Sequence, residues 1–229
     1  VSTHVCADRS AEHGSIDTMN VRMQAMTTRS GTSSNRVDAR HEIASAACDL
    51  VAVGGLDNVS LRRIAKHLGS TTGYISHYYD DKDDLLEAAL LAALDELTMA
   101  SPRATATLDE WLDIAVEGLP RDGKPQRFWR VLTAFQAASL GSVRLSGVLQ
   151  NYAPDREENL VRNLADLVPR ESSSSELNAL AHSIRTLVAG IGTTSAIAPE
   201  AFSVDQQRAV LRAGAHGLIE EFIGRQRTT

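Results

Sequence analysis

Six side chains able to donate or accept hydrogen bonds stand within eight positions: Thr71, Thr72, Tyr74, Ser76, His77 and Tyr78. A merely solvated helix would more usually carry Glu, Lys and Gln there. Hydroxyls, phenols and an imidazole on one short helix suit the edges of base pairs, and the major groove of duplex DNA, roughly 12 Å wide, admits such a helix. Gly73 lets the backbone come close to a phosphate, and the N-terminus of a helix starting at Thr71 or Thr72 attracts anions. Just upstream, Arg62, Arg63, Lys66 and His67 supply hydrogen-bonding and cationic groups. Phosphate contacts of that kind give register and affinity without sequence preference. Thr72, Tyr74 and His77 are then expected to give most of the preference for one sequence. A buried structural role is the other reading of His77.

These groups work only if a frame holds them outward. Two short helices around a tight turn need a small residue at their crossing, a residue free to take positive φ in the turn, and an apolar residue pointing back into the core. Ala65, Gly69 four positions later and Ile75 six further on meet the three needs. Glycine takes positive φ at no steric cost, and the pattern is that of a helix-turn-helix. Ser70 departs from it, because an apolar residue commonly follows the Gly. Ser60 is the expected N-cap of the second helix, whose stripe is Leu61, Ile64, Ala65 and Leu68. The third helix runs to about His77. Ahead of both, Val37, Ile43, Ala44, Ala47, Leu50 and Val51 recur at threes and fours, and Gly54 and Gly55 end that first helix. Behind them, Asp80 and Asp81 suit a helix N-terminus and open a fourth helix reaching about Met99.

Only helical patterns follow. Thr107 and Glu110 have capping-box spacing and open a helix through Glu117. Arg127 to Leu140 is the next. A longer one spans Val143 to about Leu167, with Pro154 as the place for a kink. Ser173 with Glu176 caps a helix to about Ala198, and Ser203 with Gln206 caps the last, to about Arg225. An apolar content of 43% with only 4% aromatics, weighted toward good helix formers, agrees. The expected fold is all-α, with about nine helices and no strand. Its expected parts are a disordered tail over 1–35, an N-terminal three-helix DNA-binding helix-turn-helix domain over 36–82, and a larger helical effector-binding and dimerisation domain over 83–229.

The run GSTTGYISHYYDDKDDLLEA, Gly69 to Ala88, resembles the TetR family of one-component bacterial regulators. Within it the run is most similar to the BetI-like branch, which carries a related TGxISHYF-x-x-K-x-x-LLEA stretch. The resemblance is specific over about Arg36 to Leu91. Beyond that it is architectural, with WRVLTAFQAASLGSVRL only broadly similar to BetI-type C-terminal domains. It implies that the turn and third helix contact DNA through Thr71, Thr72, Gly73, Tyr74, His77 and Tyr78, and that Lys82, opening helix four, grips a backbone phosphate. Ser60 and Arg62 complete the expected contacts. Many members carry Tyr in place of Ser76, which leaves that family contact unmatched. They carry Phe in place of Tyr79, which keeps an aromatic core plug. The implied function is a ligand-responsive transcriptional regulator, by family default a repressor, released from DNA by a small-molecule effector.

A lone helix-turn-helix reads about half an operator, so such proteins pair to match a two-fold, palindromic site. The last two helices suit a homodimer seam. Ala189, Gly190 and Gly192 in one, and Ala213, Gly214, Ala215 and Gly217 in the other, allow close approach, while Leu187, Val188, Ile191, Leu211, Leu218, Ile219 and Phe222 supply apolar area. Packing within one chain would also use small residues. The middle helices are expected to form the effector pocket. Trp111, Phe128, Trp129, Phe135, Gln136, Tyr152, His182 and Arg185 combine aromatic bodies with polar tips, as small-molecule sites do; for the aromatics, ordinary core is the alternative. BetI-like regulators sense choline, whose quaternary ammonium needs an aromatic cage. With so few aromatics the effector is left unnamed.

The net charge of −6 argues against non-specific coating of nucleic acid or anionic membrane. Across Arg36 to Lys82 six Lys/Arg balance six Asp/Glu, so any DNA-reading charge is local. The acidic total is also the ground for the alternative reading, a helical protein-interaction module without specific DNA binding. An enzyme finds little support: the seven His are scattered, with no His-Glu-x-x-His, no Gly-x-Ser-x-Gly and no phosphate-cradling loop. No cofactor and no metal are expected. From Thr18 to Val37 no acid occurs while Arg22, Arg29 and Arg36 are present. This stretch is a solvated leader or, less simply, a basic arm reaching DNA phosphates. Cys6 and Cys48 form no Cys-x-x-Cys pair, and Cys48 sits in a helical stripe as a small core residue. No apolar run approaches the ~18 residues of a membrane span, and the expected location is the cytoplasm.

Overall fold

The protein is described by a computed structural model over residues 35–99, 107–168 and 172–226. The chain divides into two compact units, 1–42 and 43–229. Most of the expected tail lies outside the described residues. Of the first unit, 35–42 are helical, with Ala39 buried.

Among the described residues there are nine α-helices and no strand. Helix α1 covers 35–54, followed by a 3₁₀ turn at Leu56–Asn58. Then come α2 (Leu61–His67), α3 (Thr72–Tyr78), α4 (Lys82–Met99), α5 (Leu108–Glu117), α6 (Gly123–Ser139), α7 (Val143–Ala165), α8 (Ser174–Ile197) and α9 (Val204–Gln226). A second 3₁₀ turn, Pro199–Ala201, precedes α9.

The local punctuation explains these limits. Gly55 takes φ +69°, which lets the chain leave α1, and the Asn58 side chain folds back and donates to Leu50 O at 2.9 Å. Ser60, Thr71, Thr107 and Ser142 each accept a backbone N–H at the start of the helix that follows. Ser173 and Glu176 form the complete reciprocal capping box of α8, and Ser203 with Gln206 does the same for α9. Helix α6 begins at Gly123, four residues ahead of the expected Arg127. Pro125 falls in its first turn, where a proline costs little because its missing N–H would have no partner there. Helix α7 is continuous across position 154.

Two apolar clusters hold the second unit together. One joins Ile43, Ala47, Cys48 and Val51 of α1 to Ile64, Ile75 and Tyr79, to Leu85, Leu90 and Leu94 of α4, and to Phe128, Trp129 and Phe135 of α6. The other joins Trp111 and Leu112 of α5 to Leu164, to Leu180 and Ile184 of α8, and to Leu211, Ile219 and Phe222 of α9. Val188 packs against both. Among the described residues no helix is long and apolar enough to cross a membrane.

Candidate nucleic-acid interface

Helix α2 ends in a Schellman motif. Gly69 takes φ +62°, its N–H donates to Lys66 O at 3.3 Å, and the Ser70 N–H donates to Ala65 O at 2.8 Å. The turn between the end of α2 and the start of α3 is closed by these backbone hydrogen bonds. The crossing is pinned by Ile64, Ala65 and Ile75, exposed by no more than 3%, and by Tyr79 beneath them. The Ala–Gly–Ile spacing therefore lies on two helices around a turn. Ser70, the departure from the pattern, contributes its backbone N–H to the motif. Its buried hydroxyl has no hydrogen-bond partner among the described residues.

With Ile75 turned inward, the rest of α3 except Tyr78 faces solvent. Thr71, Thr72, Gly73, Tyr74, Ser76 and His77 are exposed and Tyr78 is half-buried. The exposed His77 sets aside its reading as a core residue. Its ring lies edge-on to Tyr78 at 5.1 Å, and Tyr78 meets Tyr74 at the same separation, so the three rings restrain one another. The Thr71 hydroxyl accepts the Tyr74 N–H at 3.2 Å. Ser60 and Arg62, at the start of α2, are exposed, and the Ser60 hydroxyl accepts the Arg63 N–H. Lys82 is exposed at the first position of α4, and its ammonium donates to Leu56 O at 3.4 Å. The expected contact residues thus gather on the α2–α3 turn, α3 and the two adjoining helix starts.

Two arginines outside that set bear on it. Arg144 of α7 bonds Glu87 and lies 4.0 Å from both Asp81 and Asp84, offsetting part of the acidic cluster around Lys82. The hydrogen bond to Glu87, with the charges of Glu87, Asp81 and Asp84, holds its guanidinium above the ordinary range. Arg127 of α6 bonds Asp49 of α1 and Glu96 of α4. Neither residue has a local sequence signal, because its partners lie 31 to 82 positions away.

The eight expected effector residues fall into separate places. Phe128, Trp129 and Phe135 are buried in the first cluster, where Tyr152 packs against them and donates its hydroxyl to Leu94 O. Trp129 donates to Gly118 O at 2.8 Å, and its ring occupies the space a Cβ on Gly192 would need. Trp111 is buried in the second cluster, its indole N–H without a partner among the described residues. Gln136 is exposed. Arg185, half-buried, donates to Nδ1 of the exposed His182 at 3.0 Å. A groove of about 260 Å³ lies instead between α8 and α9, lined by Glu176, Leu180, Ser183, Leu218, Phe222 and Arg225 among others.

The small residues of α8 and α9 also divide. Gly192 packs on Trp129 and Gly214 on Leu187, both within the chain, whereas among the described residues nothing lies within 4 Å of where a Cβ on Gly190 or Gly217 would stand.

Residues 43–89 match the family model for bacterial regulatory proteins of the tetR family, and residues 108–220 match that for the C-terminal part of BetI-type transcriptional repressors. The chain is 28% identical over 176 residues to the HTH-type transcriptional regulator BetI of Pseudomonas aeruginosa, covering 73% of this chain and 86% of that one. Against the BetI regulator of Ectopseudomonas mendocina it is 26% identical over 180 residues, 75% of this chain and 88% of the relative. Among solved structures, a transcriptional regulator from Rhodococcus sp. Rha1 superposes with TM-score 0.70 at 20% identity, covering 80% of this chain and 96% of its own. A regulator from Saccharomonospora viridis, solved in complex with choline, gives TM-score 0.63 at 24% identity, covering 77% and 95%.

Proposed function

The chain belongs to the TetR family of transcriptional regulators, with a BetI-type C-terminal half, and from that premise we propose that it binds a palindromic operator as a homodimer, represses, and lets go when a small molecule binds. The observation that carries this reading is α3 itself. Its one buried residue is Ile75, and everything else on it is polar, aromatic or glycine. Inserted in the major groove, Thr72, Tyr74 and His77 would meet base edges. Ser60, Arg62, Thr71, Gly73, Tyr78 and Lys82 would hold the backbone on either side. For Lys82, a phosphate would take the place of the Leu56 carbonyl as its partner. The reading module is assigned to 36–82, and 83–229 to sensing and pairing.

The proposed seam is the outer side of α8 and α9. A glycine inside a helix costs about 1 kcal/mol relative to alanine. At Gly190 and Gly217 no contact among the described residues explains that cost, and close approach by a second copy would. Leu218, partly buried beside the groove between the two helices, adds apolar area to the same seam. The effector is proposed to enter among α5 to α8, where Trp111, Phe128, Trp129, Phe135, Gln136, Tyr152, His182 and Arg185 are distributed. Binding that favours the geometry unsuited to the operator shifts the population off DNA. The protein acts by binding rather than catalysis, and its work on chromosomal DNA places it in the cytoplasm.

The test is a gel shift with DNA selected by the full chain from a random duplex library, run at two salt concentrations, with sedimentation of the free protein and a choline titration as the first effector trial. Steep loss of affinity with salt, retained site preference and a dimer in solution are expected. A monomer that selects no duplex at low salt would overturn the reading in favour of a protein-interaction module.

A further inference from the structure

Asp49 is shared between two helices. Its Oδ1 accepts from Arg127 Nε of α6 at 2.5 Å, and its Oδ2 lies 3.3 Å from His67 Nε2 at the end of α2. The same guanidinium reaches Glu96 of α4 at 3.1 Å through Nη1, and the Ser45 carbonyl of α1 at 3.1 Å through Nη2. All three nitrogens of one side chain are thereby spent on tying α6 to α1 and α4, and one carboxylate extends the tie to α2. Burial works against the charge, but the hydrogen bond to Asp49 and the charges of Asp49 and Glu96 outweigh it and hold the guanidinium above its ordinary range. The anchor behind it is stiff: the next residues, Phe128 and Trp129, are buried edge to face, and Trp129 is seated on Gly192 of α8.

We propose that Arg127 is the positioning residue of DNA recognition. Through Asp49 it holds α1 and α2 at the angle to α4 that lets two paired modules reach half-sites at one fixed spacing. The inference rests on the regulator reading above and adds a residue that touches neither DNA nor effector. Geometry rather than charge does the positioning. A lysine ammonium has its three donors on one nitrogen and cannot span Asp49, Glu96 and the Ser45 carbonyl in one fixed plane, whereas the three nitrogens of a guanidinium fork do.

The experiment uses the full chain, the duplex it selects from a random library, and the same duplex with one or two base pairs inserted between half-sites. The wild type should bind inserted duplexes far more weakly than the selected one. Arg127→Lys and Arg127→Ala should lose about tenfold on the selected spacing, while their penalty for insertion shrinks. Variants that keep wild-type affinity and spacing preference, or that lose the same factor on every spacing, overturn the proposal.

A second measurement needs no DNA. Cys48 lies beside Asp49 on α1, its thiol bonded to Ala89 O of α4 at 3.1 Å; desolvation by burial pushes that thiol up to about 12, so alkylation at pH 8 waits for α1 and α4 to part. In a Cys6→Ser background, Arg127→Lys should speed Cys48 labelling about tenfold at an unchanged urea midpoint. Labelling at the wild-type rate overturns the tie. If the wild type selects no duplex, the regulator reading fails, and the DNA-positioning role of Arg127 fails with it. The labelling then reports on the tie alone. Should Arg127→Ala unfold, Arg127→Lys and Asp49→Asn carry both measurements.

Discussion

In the helix-turn-helix, side chains singled out by their spacing stand together on two seven-residue helices; among α5 to α8, side chains singled out by their type end up in a core, in a second core and at the surface. The contrast is physical. On α2 and α3 each position follows from the one before by helix geometry, and the turn between them is closed by three neighbouring backbone groups. Once Ala65, Gly69 and Ile75 are placed, the outward residues follow. In the larger bundle, whether an aromatic lines a chamber or fills it depends on helices contributed from far along the chain. Trp129 and Gly192, 63 positions apart by their numbering, meet face to face, and no local pattern signals it.

The contrast can be broken or sharpened by mutation. The largest effect is expected from Ile75→Ala. A fully buried side chain is removed, costing about 2–5 kcal/mol, so urea unfolding should show an early transition and DNA binding should vanish with it. If the protein instead unfolds at its normal midpoint, Ile75 does not pin the module. Next, Gly192→Ala places a Cβ 2.3 Å from the Trp129 ring and should lower stability by about 1–3 kcal/mol. Gly217→Ala, with nothing within 4 Å, should stabilise the isolated chain by up to ~1 kcal/mol and weaken the dimer. Thermal midpoints across a range of protein concentrations separate the two.

Tyr74→Phe should leave the midpoint where it is and erode discrimination between the selected duplex and a single mismatch by about 1 kcal/mol, measured by competition binding. Smallest is Lys82→Ala. Affinity should fall alike on all sequences, and the slope of log K against log salt should drop by about 1. An unchanged slope would remove Lys82 from the phosphate contacts.

The helix limits were legible because capping is local. Ser60, Thr71, Thr107, Ser173 and Ser203 each take up a donor within three residues. The start of α6 was not, because a proline is compatible both with a first helical turn and with a break, and only the backbone of its neighbours decides between them. The exposed side of α3 was legible because each of its positions follows from the placing of Ala65, Gly69 and Ile75. The residues expected to meet an effector were legible only as types. Aromatic bodies with polar tips describe both a pocket lining and a satisfied core, and the Trp129 indole bonded to Gly118 O shows how the second can look like the first. Arg127 and Arg144 gave no signal at all, their carboxylate partners lying up to 78 positions away.

The order of residues alone determined an all-helical chain, where most helices begin and end, and a Gly-hinged pair presenting hydroxyls and an imidazole outward, because each of these depends on interactions spanning a few residues. The tertiary structure decided which glycines are filled and which stand open, which aromatics are walled in, and that one arginine clasps three helices. Those outcomes depend on surfaces brought together from distant parts of the chain, and their energies exist only once the helices have packed.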